Sequence, residues 1–240
     1  MTRFTLLGVP VDPLSEGEAV EWVVRALAEG QPRLVISVNP ERIMQAGRDP
    51  DFAAILRRAD LALADGAGVL WAARRLGHPL PSRLAGVDVV TALAARGARE
   101  GWRFFFLGGA PGVAEAAGRV LRDRFPGFTL AGTHAGSADQ GSDPVTVELV
   151  RSSGAQLLFL AYGATAEEAW LARNLARSGA IVGMGVGGTF DFISGRARRA
   201  PPWMRERGLE WLHRLRQEPW RWRRMLALPR FVLRVMREPR

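Results

Sequence analysis

The sequence predicts an α/β fold: a mainly parallel sheet with helices on both faces, followed by a helical, arginine-rich C-terminal appendage. Three observations carry this prediction. Five short apolar runs alternate with helical patterns up to residue 195, the rhythm of βαβ units. The runs are continuously apolar, as strands covered on both faces are. Beyond Gly195 the runs stop, and proline-opened helical segments dense in arginine take over.

In chain order, Phe4–Gly8 and Val9–Val11 flank a tight turn and read as a small hairpin. Ser15 caps a helix, with Glu18 three residues on completing a capping box; Ala19, Val20, Val23 and Leu27 follow at helical spacing. Leu34–Val38 reads as a buried strand, and Asn39-Pro40-Glu41 as N-cap, N1 and N2 of the next helix. Ala59–Ala64 is the next strand and ends at Asp65-Gly66. Arg103–Leu107 ends at Gly108-Gly109, with Pro111 opening a helix. Gln156–Ala161 ends at Tyr162-Gly163, and Ile181–Val186 at Gly187-Gly188. In the tail, Pro201-Pro202 opens a helix of about 14 residues, Pro219 opens another, and Pro229 breaks or kinks the chain. Leu228, Phe231, Val232, Val235 and Met236 then form an apolar stripe opposite Arg230, Arg234 and Arg237.

Composition narrows the chemistry. The 240 residues include no cysteine and no lysine, so all 33 basic residues are arginine. Disulfides, thiolate nucleophiles, thiolate metal sites, Schiff-base lysines and a P-loop lysine are excluded. The three histidines (His78, His134, His213) lie far apart. The net charge of +9 is concentrated at one end: residues 1–195 carry 19 Arg against 20 Asp and Glu, whereas residues 196–240 carry 14 Arg against 4 Glu. Such asymmetry points to an anionic partner: nucleic acid, anionic lipid or a phosphorylated substrate. Four of the eight tryptophans (Trp203, Trp211, Trp220, Trp222) lie in the same segment. Basic charge, an apolar stripe and tryptophans together suit a headgroup zone. A nucleic-acid arm accounts for the charge but not for the stripe. Neither a leader pattern nor an apolar run long enough to span a bilayer is visible.

In parallel sheets ligands bind outside the carboxyl ends of the strands, and the polar and glycine-rich residues gather there. Asp65 is placed to act as a general base on a hydroxyl, or as a turn or cap residue before Gly66. Ser37 and Asn39 share a face if the strand reaches Asn39; they suit a sugar or nucleotide, while Asn39 suits a helix cap equally. Arg83, with Asp88 five residues on, is a loop arginine able to hold a phosphate, or a plain surface residue. Gly187-Gly188-Thr189-Phe190-Asp191 offers backbone N–H groups to a phosphate. It is no dinucleotide fingerprint, and without lysine no ATPase loop.

These residues, taken together, resemble the WecG/TagA/CpsF family of bacterial glycosyltransferases. The resemblance runs through Val38–Glu41, Ala64–Val69, Arg83–Asp88 and Phe106–Val113. It is most specific over Gly185–Gly195, continuing through Arg199–Pro201, Trp203-Met204 and Gly208–Trp211. It implies a Rossmann-like fold of the GT-E type. It also implies inverting, metal-independent transfer of an N-acetylhexosamine-type sugar, commonly N-acetylmannosamine or its uronic acid, from a UDP-sugar. The acceptor would be a polyprenyl-diphosphate-linked sugar used for a cell-surface polysaccharide or teichoic acid. Under the resemblance Asp65 is the catalytic base, and Ser37, Asn39, Arg83, Asp88, Gly108, Gly109, Glu167, Gly187, Gly188 and Asp191 bind substrate. Arg214, Arg221 and Arg224 close over the diphosphates. Residues 1–195 are then the catalytic body, and residues 196–240 an appendage that meets the membrane and closes the site. The protein would work in the cytoplasm, peripherally on the inner face of the plasma membrane, without nucleic acid; a homo-oligomer is compatible with it.

Two departures stand out. Thr165-Ala166-Glu167-Glu168 replaces a proline-lysine-glutamine-glutamate run, so Glu167 takes the place of a pocket amide; ionised, it cannot donate the amide's hydrogen bonds and would repel a uronate. Ser137 stands where a tyrosine is common. Glu167 is also what keeps a rival open, a non-catalytic membrane- or nucleic-acid-binding module with a degenerate pocket.

Overall fold

A computed structural model describes residues 2–217, 219 and 222–238. Strands β1 (Phe4–Leu6) and β2 (Val9–Val11) form an antiparallel hairpin. Its turn places Leu7 and Gly8 at φ 50° and 85°, the double positive φ that two-residue hairpins favour. The main sheet comprises β3 (Arg33–Val38), β4 (Leu61–Ala64), β5 (Arg103–Gly108), β6 (Thr129–His134), β7 (Leu157–Ala161) and β8 (Val182–Gly185). Their spatial order is β4-β3-β8-β7-β5-β6, and every pairing is parallel.

Period-two alternation sends neighbouring residues to opposite faces. Phe105 and Leu107 join one core and Phe104 and Phe106 the other. The first core packs against helices 40–46, 50–57, 67–75, 143–153 and 166–178; the second packs against helices 16–29, 86–100 and 113–124. The expected capping box is present: Glu18 N–H donates to Ser15 Oγ at 3.3 Å, and Ser15 N–H donates to Glu18 Oε2 at 2.8 Å. Asn39 caps helix 40–46, accepting from the Arg42 N–H at 3.0 Å.

The structure departs from the sequence reading in four places. The edge strand β6 was not expected. All six of its residues are half-buried, so it lacks the continuous apolar signature of its neighbours. The helix expected from Pro111 begins at Val113, behind Gly112 at φ 82°. The long helix expected after Pro202 is two short ones, Pro202–Glu206 and Glu210–Gln217. Gly208 separates them at φ 71°, where an added Cβ would sit 2.4 Å from Ala67 Cβ. Pro229 does not break the last helix, Ala227–Arg237. It falls in the first turn, where its missing N–H has no partner to lose. That helix docks on helices 40–46 and 67–75. Phe231 and Val235 of the expected stripe are buried in the first core, while Val232 and Met236 stay exposed. Its apolar stripe is thus shared between the body and solvent.

Candidate active site

Asp65 lies one residue beyond β4. Its N–H donates to Val38 O at 2.8 Å, which extends the β3–β4 register past the strand and turns the carboxylate toward the sheet edge. Ser37 Oγ donates to Asp65 Oδ2 at 3.5 Å, a long bond. Leu84 N–H donates to Ala64 O at 2.7 Å and the Leu84 side chain is buried, so the loop carrying Arg83 is pinned beside the same strand end. Burial is the largest influence on the Asp65 carboxyl and raises its pKa. Arg83 pulls it back, Glu210 pushes it up, Arg42 lowers it and Asp88 raises it, leaving it at about 6. Such a group is ionised at neutral pH yet basic enough to accept a proton, as a general base must be.

Two cavities open on either side of this carboxylate. The first, about 770 Å³, is polar and follows the strand ends: Ser37, Arg42, Gly109, Tyr162, Gly187 and Asp191 are among its walls. The second, about 740 Å³, is mainly apolar: Trp71, Phe192, Trp211, Met225, Leu228 and Val232 contribute, with Arg83 and Glu210 at its polar end. Asn39, Asp65, Gly86, Gly188 and Arg214 line both. Arg214 comes from helix 210–217, lies against Gly188 (2.6 Å from where a Cβ would stand) and stacks its guanidinium over the Phe192 ring at 5.1 Å.

Charged side chains tie the tail to the body here. Arg83 Nη1 donates to Glu210 Oε2 at 2.6 Å. Arg199 Nε donates to Glu210 Oε1 at 3.2 Å, and its two terminal nitrogens grip both oxygens of Asp88. Burial pushes the Asp88 carboxyl up, but Arg199 and then Arg83 outweigh it, so it lies below the usual carboxylate range.

Several of the residues singled out from sequence do not reach a cavity. Asp88 serves as the anchor for Arg199. Gly108 is part of the sheet: a Cβ at its φ of 91° would meet Ala161 backbone at 2.8 Å. Glu167 is fully buried behind the polar wall rather than in it. Its Oε1 accepts the N–H groups of Gly163 and Gly187, both at 2.9 Å, and its Oε2 accepts from Arg42 at 2.8 Å. Burial raises its pKa, Arg42 lowers it, Glu168 raises it and the two N–H groups lower it, for a net value of about 7. The departure at position 167 therefore acts on the backbone of two cavity-lining turns. The Gly187 N–H, expected to face a phosphate, is taken by this carboxylate. Asp191 does line the polar cavity, with Arg196 at 3.7 Å. Arg221 lies outside the described residues; Arg224 is in the helix Trp222–Met225, but its side chain is likewise outside them.

Sequence reasoning missed Arg42, Tyr162, Glu210 and Trp71. Arg42 is buried and paired with Glu167 and Glu168 at 2.8 and 2.7 Å, and no local pattern marks an arginine for burial. Tyr162 had a signal, being the chain's one tyrosine at a strand end. Among the described residues, no cluster of three or more histidine, aspartate or glutamate side chains is placed to hold a metal ion. No described helix is long and apolar enough to cross a membrane.

A carboxylate of raised pKa between a polar and an apolar cavity, at the carboxyl edge of a parallel sheet, fits a Rossmann-like α/β group transferase. The profile of the glycosyl transferase WecG/TagA/CpsF family matches residues 4–240. The chain belongs to that family and is a hexosyltransferase. It is similar to the N-acetylglucosaminyldiphosphoundecaprenol N-acetyl-beta-D-mannosaminyltransferase of Bacillus spizizenii, with 35% identity over 215 residues, 89% of this chain and 82% of that protein. Its similarity to the protein of the same name in Bacillus subtilis is 32% over 205 residues, 85% of this chain and 79% of the other.

Proposed function

We propose that this protein transfers an N-acetylmannosamine-like sugar from a UDP-sugar to a polyprenyl-diphosphate-linked sugar, in the assembly of a cell-surface polysaccharide or teichoic acid. The observation that carries this reading is the position of Asp65 on the wall shared by the two cavities. The polar cavity takes the nucleotide sugar. The apolar cavity takes the lipid-proximal part of the acceptor. Only at their junction do donor carbon and acceptor hydroxyl meet.

The acceptor oxygen attacks the anomeric carbon as its proton passes to Asp65. The bond from that carbon to the diphosphate breaks on the opposite side, and the configuration inverts. Charge building on the departing UDP is balanced by guanidinium groups, Arg214 foremost, in a site walled by protein. The reaction therefore needs no divalent cation, and a chelator leaves turnover unchanged. Trp203, Trp222, Leu233 and Met236 are exposed on the arginine-rich tail and suit the headgroup layer of an anionic membrane. The enzyme would thus reach its lipid acceptor from the cytoplasmic side.

The test is transfer by purified protein from a panel of UDP-N-acetylhexosamines to a short-chain lipid-diphosphate N-acetylglucosamine. Product with UDP-N-acetylmannosamine, in the presence of chelator, supports the reading. No product with any UDP-sugar, or undiminished product from Asp65→Asn, overturns it.

A further inference from the structure

Arg83 is the cation that weighs most against Asp65 as a base. A free guanidinium beside a partly buried carboxylate would close onto it as a bidentate pair, and a carboxylate held that way is a poor proton acceptor. In this protein Arg83 is engaged elsewhere. Its Nη1 donates to Glu210 Oε2 at 2.6 Å, with both side chains three-quarters or more buried. Glu210 is itself fixed from behind by Arg199, which is gripped by Asp88. The row Arg83–Glu210–Arg199–Asp88 alternates in sign and crosses twice between body and tail.

We propose that Glu210 is a positioning residue of the transfer reaction: supplied by the C-terminal segment, it draws Arg83 off Asp65 along the wall of the apolar cavity and leaves Asp65 free to take the acceptor's proton. This rests on Asp65 being the base. The charged groups acting on Asp65 are Arg83, Arg42, Glu210 and Asp88, with the Ser37 hydroxyl beside it and Glu41 and Arg214 on the same two walls. Arg42 is held by Glu167 and Glu168 on the far side, so Arg83 is the cation Glu210 governs. The direction of the Glu210 effect on Asp65, upward, agrees with the geometry. A base completed by the tail is at full strength only when helix 210–217 lies over the site.

The experiment is the pH dependence of kcat for the full chain, comparing wild type, Glu210→Gln, and Glu210→Gln combined with Arg83→Gln. In Glu210→Gln the acid limb moves to lower pH by roughly half to one unit, and plateau turnover falls about two- to fivefold through the weaker base. The KM for the UDP-sugar stays within about twofold, since the row flanks the other cavity. In the double variant the limb returns toward its wild-type position, because the cation responsible is gone. An acid limb that does not move in Glu210→Gln, whatever its height, overturns the proposal and leaves Glu210 a tether. Should that variant fail to fold, Glu210→Asp, one methylene short of Arg83, must show the same displacement or the proposal falls. Asp65→Asn run alongside separates the two readings. If it turns over normally, the assignment of the base is what failed.

Discussion

The two cavities that meet at Asp65 are built in different ways. The polar one is made of turns that follow parallel strands: Gly109 after β5, Tyr162 after β7, Gly187 and Gly188 after β8. Its shape is set by the sheet and by Glu167, which ties two of those turns together from behind. The apolar one has Trp71 and Arg83 from the body on one side, and Trp211, Met225, Leu228 and Val232 from the tail on the other. The first has most of its walls whenever the sheet forms, and Arg196, Ala197 and Arg214 complete it. The second exists only while residues beyond 196 are docked, and what docks them is two buried side chains, Phe231 and Val235, and a row of four alternating charges. The polar cavity is thus largely preformed and the apolar one assembled.

This contrast can be broken by experiment. The largest effect belongs to the shared wall. Asp65→Asn lowers kcat by roughly 100-fold or more, while isothermal titration finds UDP affinity within about twofold of wild type. In the native enzyme kcat falls as pH drops through about 6, because the base is then protonated. The folded-state pKa of Asp65 lies above the ordinary 3.8, so its ionised form costs stability at pH 7–8, a cost absent once pH is below the unfolded value. Asp65→Asn should therefore melt a few degrees higher, about 2–4 °C. Next comes Arg214→Gln, expected to cost about 10- to 100-fold in kcat by removing charge stabilisation for the leaving diphosphate. Steady-state kinetics at saturating acceptor would show it. Trp71→Ala sharpens the contrast. Its indole is a wall of the apolar cavity alone, so KM for a lipid-linked acceptor rises about tenfold at most, while KM for the UDP-sugar holds. An equal rise in both would merge the two sites. The smallest effect is on membrane partition. Trp203→Ala with Trp222→Ala weakens binding to anionic vesicles several-fold by co-sedimentation, with transfer to a water-soluble acceptor unchanged.

The sheet was legible because five of its strands are buried on both faces, and such strands write continuous apolar runs into the sequence. Strand β6 escaped because, unlike the other edge strand β4, its residues are only half-buried, which allows Thr129, Gly132, Thr133 and His134. The polar cavity was legible for a related reason: Ser37, Asn39, Asp65 and Gly188 sit at strand ends, and a parallel sheet brings such ends to one edge. What a side chain does there was less legible. Glu167 and Gly187 both looked directed at substrate, yet each satisfies the other, a pairing across 20 positions that no local pattern announces. The apolar cavity was invisible in the sequence, because Trp71 and Val232, far apart in the chain, face one space. Glu210 belonged to a recognised stretch, but its partner Arg83 lies 127 residues away.

Phe231 and Val235 complete the first core from helix 227–237. Every strand of the sheet precedes that helix in the chain, so during synthesis the sheet is made while the core is still unsealed. At the usual pace, residues 196–240 take on the order of 2–9 s to add. Until helix 227–237 docks, the groove between helices 40–46 and 67–75 stays uncovered. The segment that makes half of the apolar cavity is thus also the one that ends this exposure, so a chain cut before Phe231 would bare that groove while keeping Asp65.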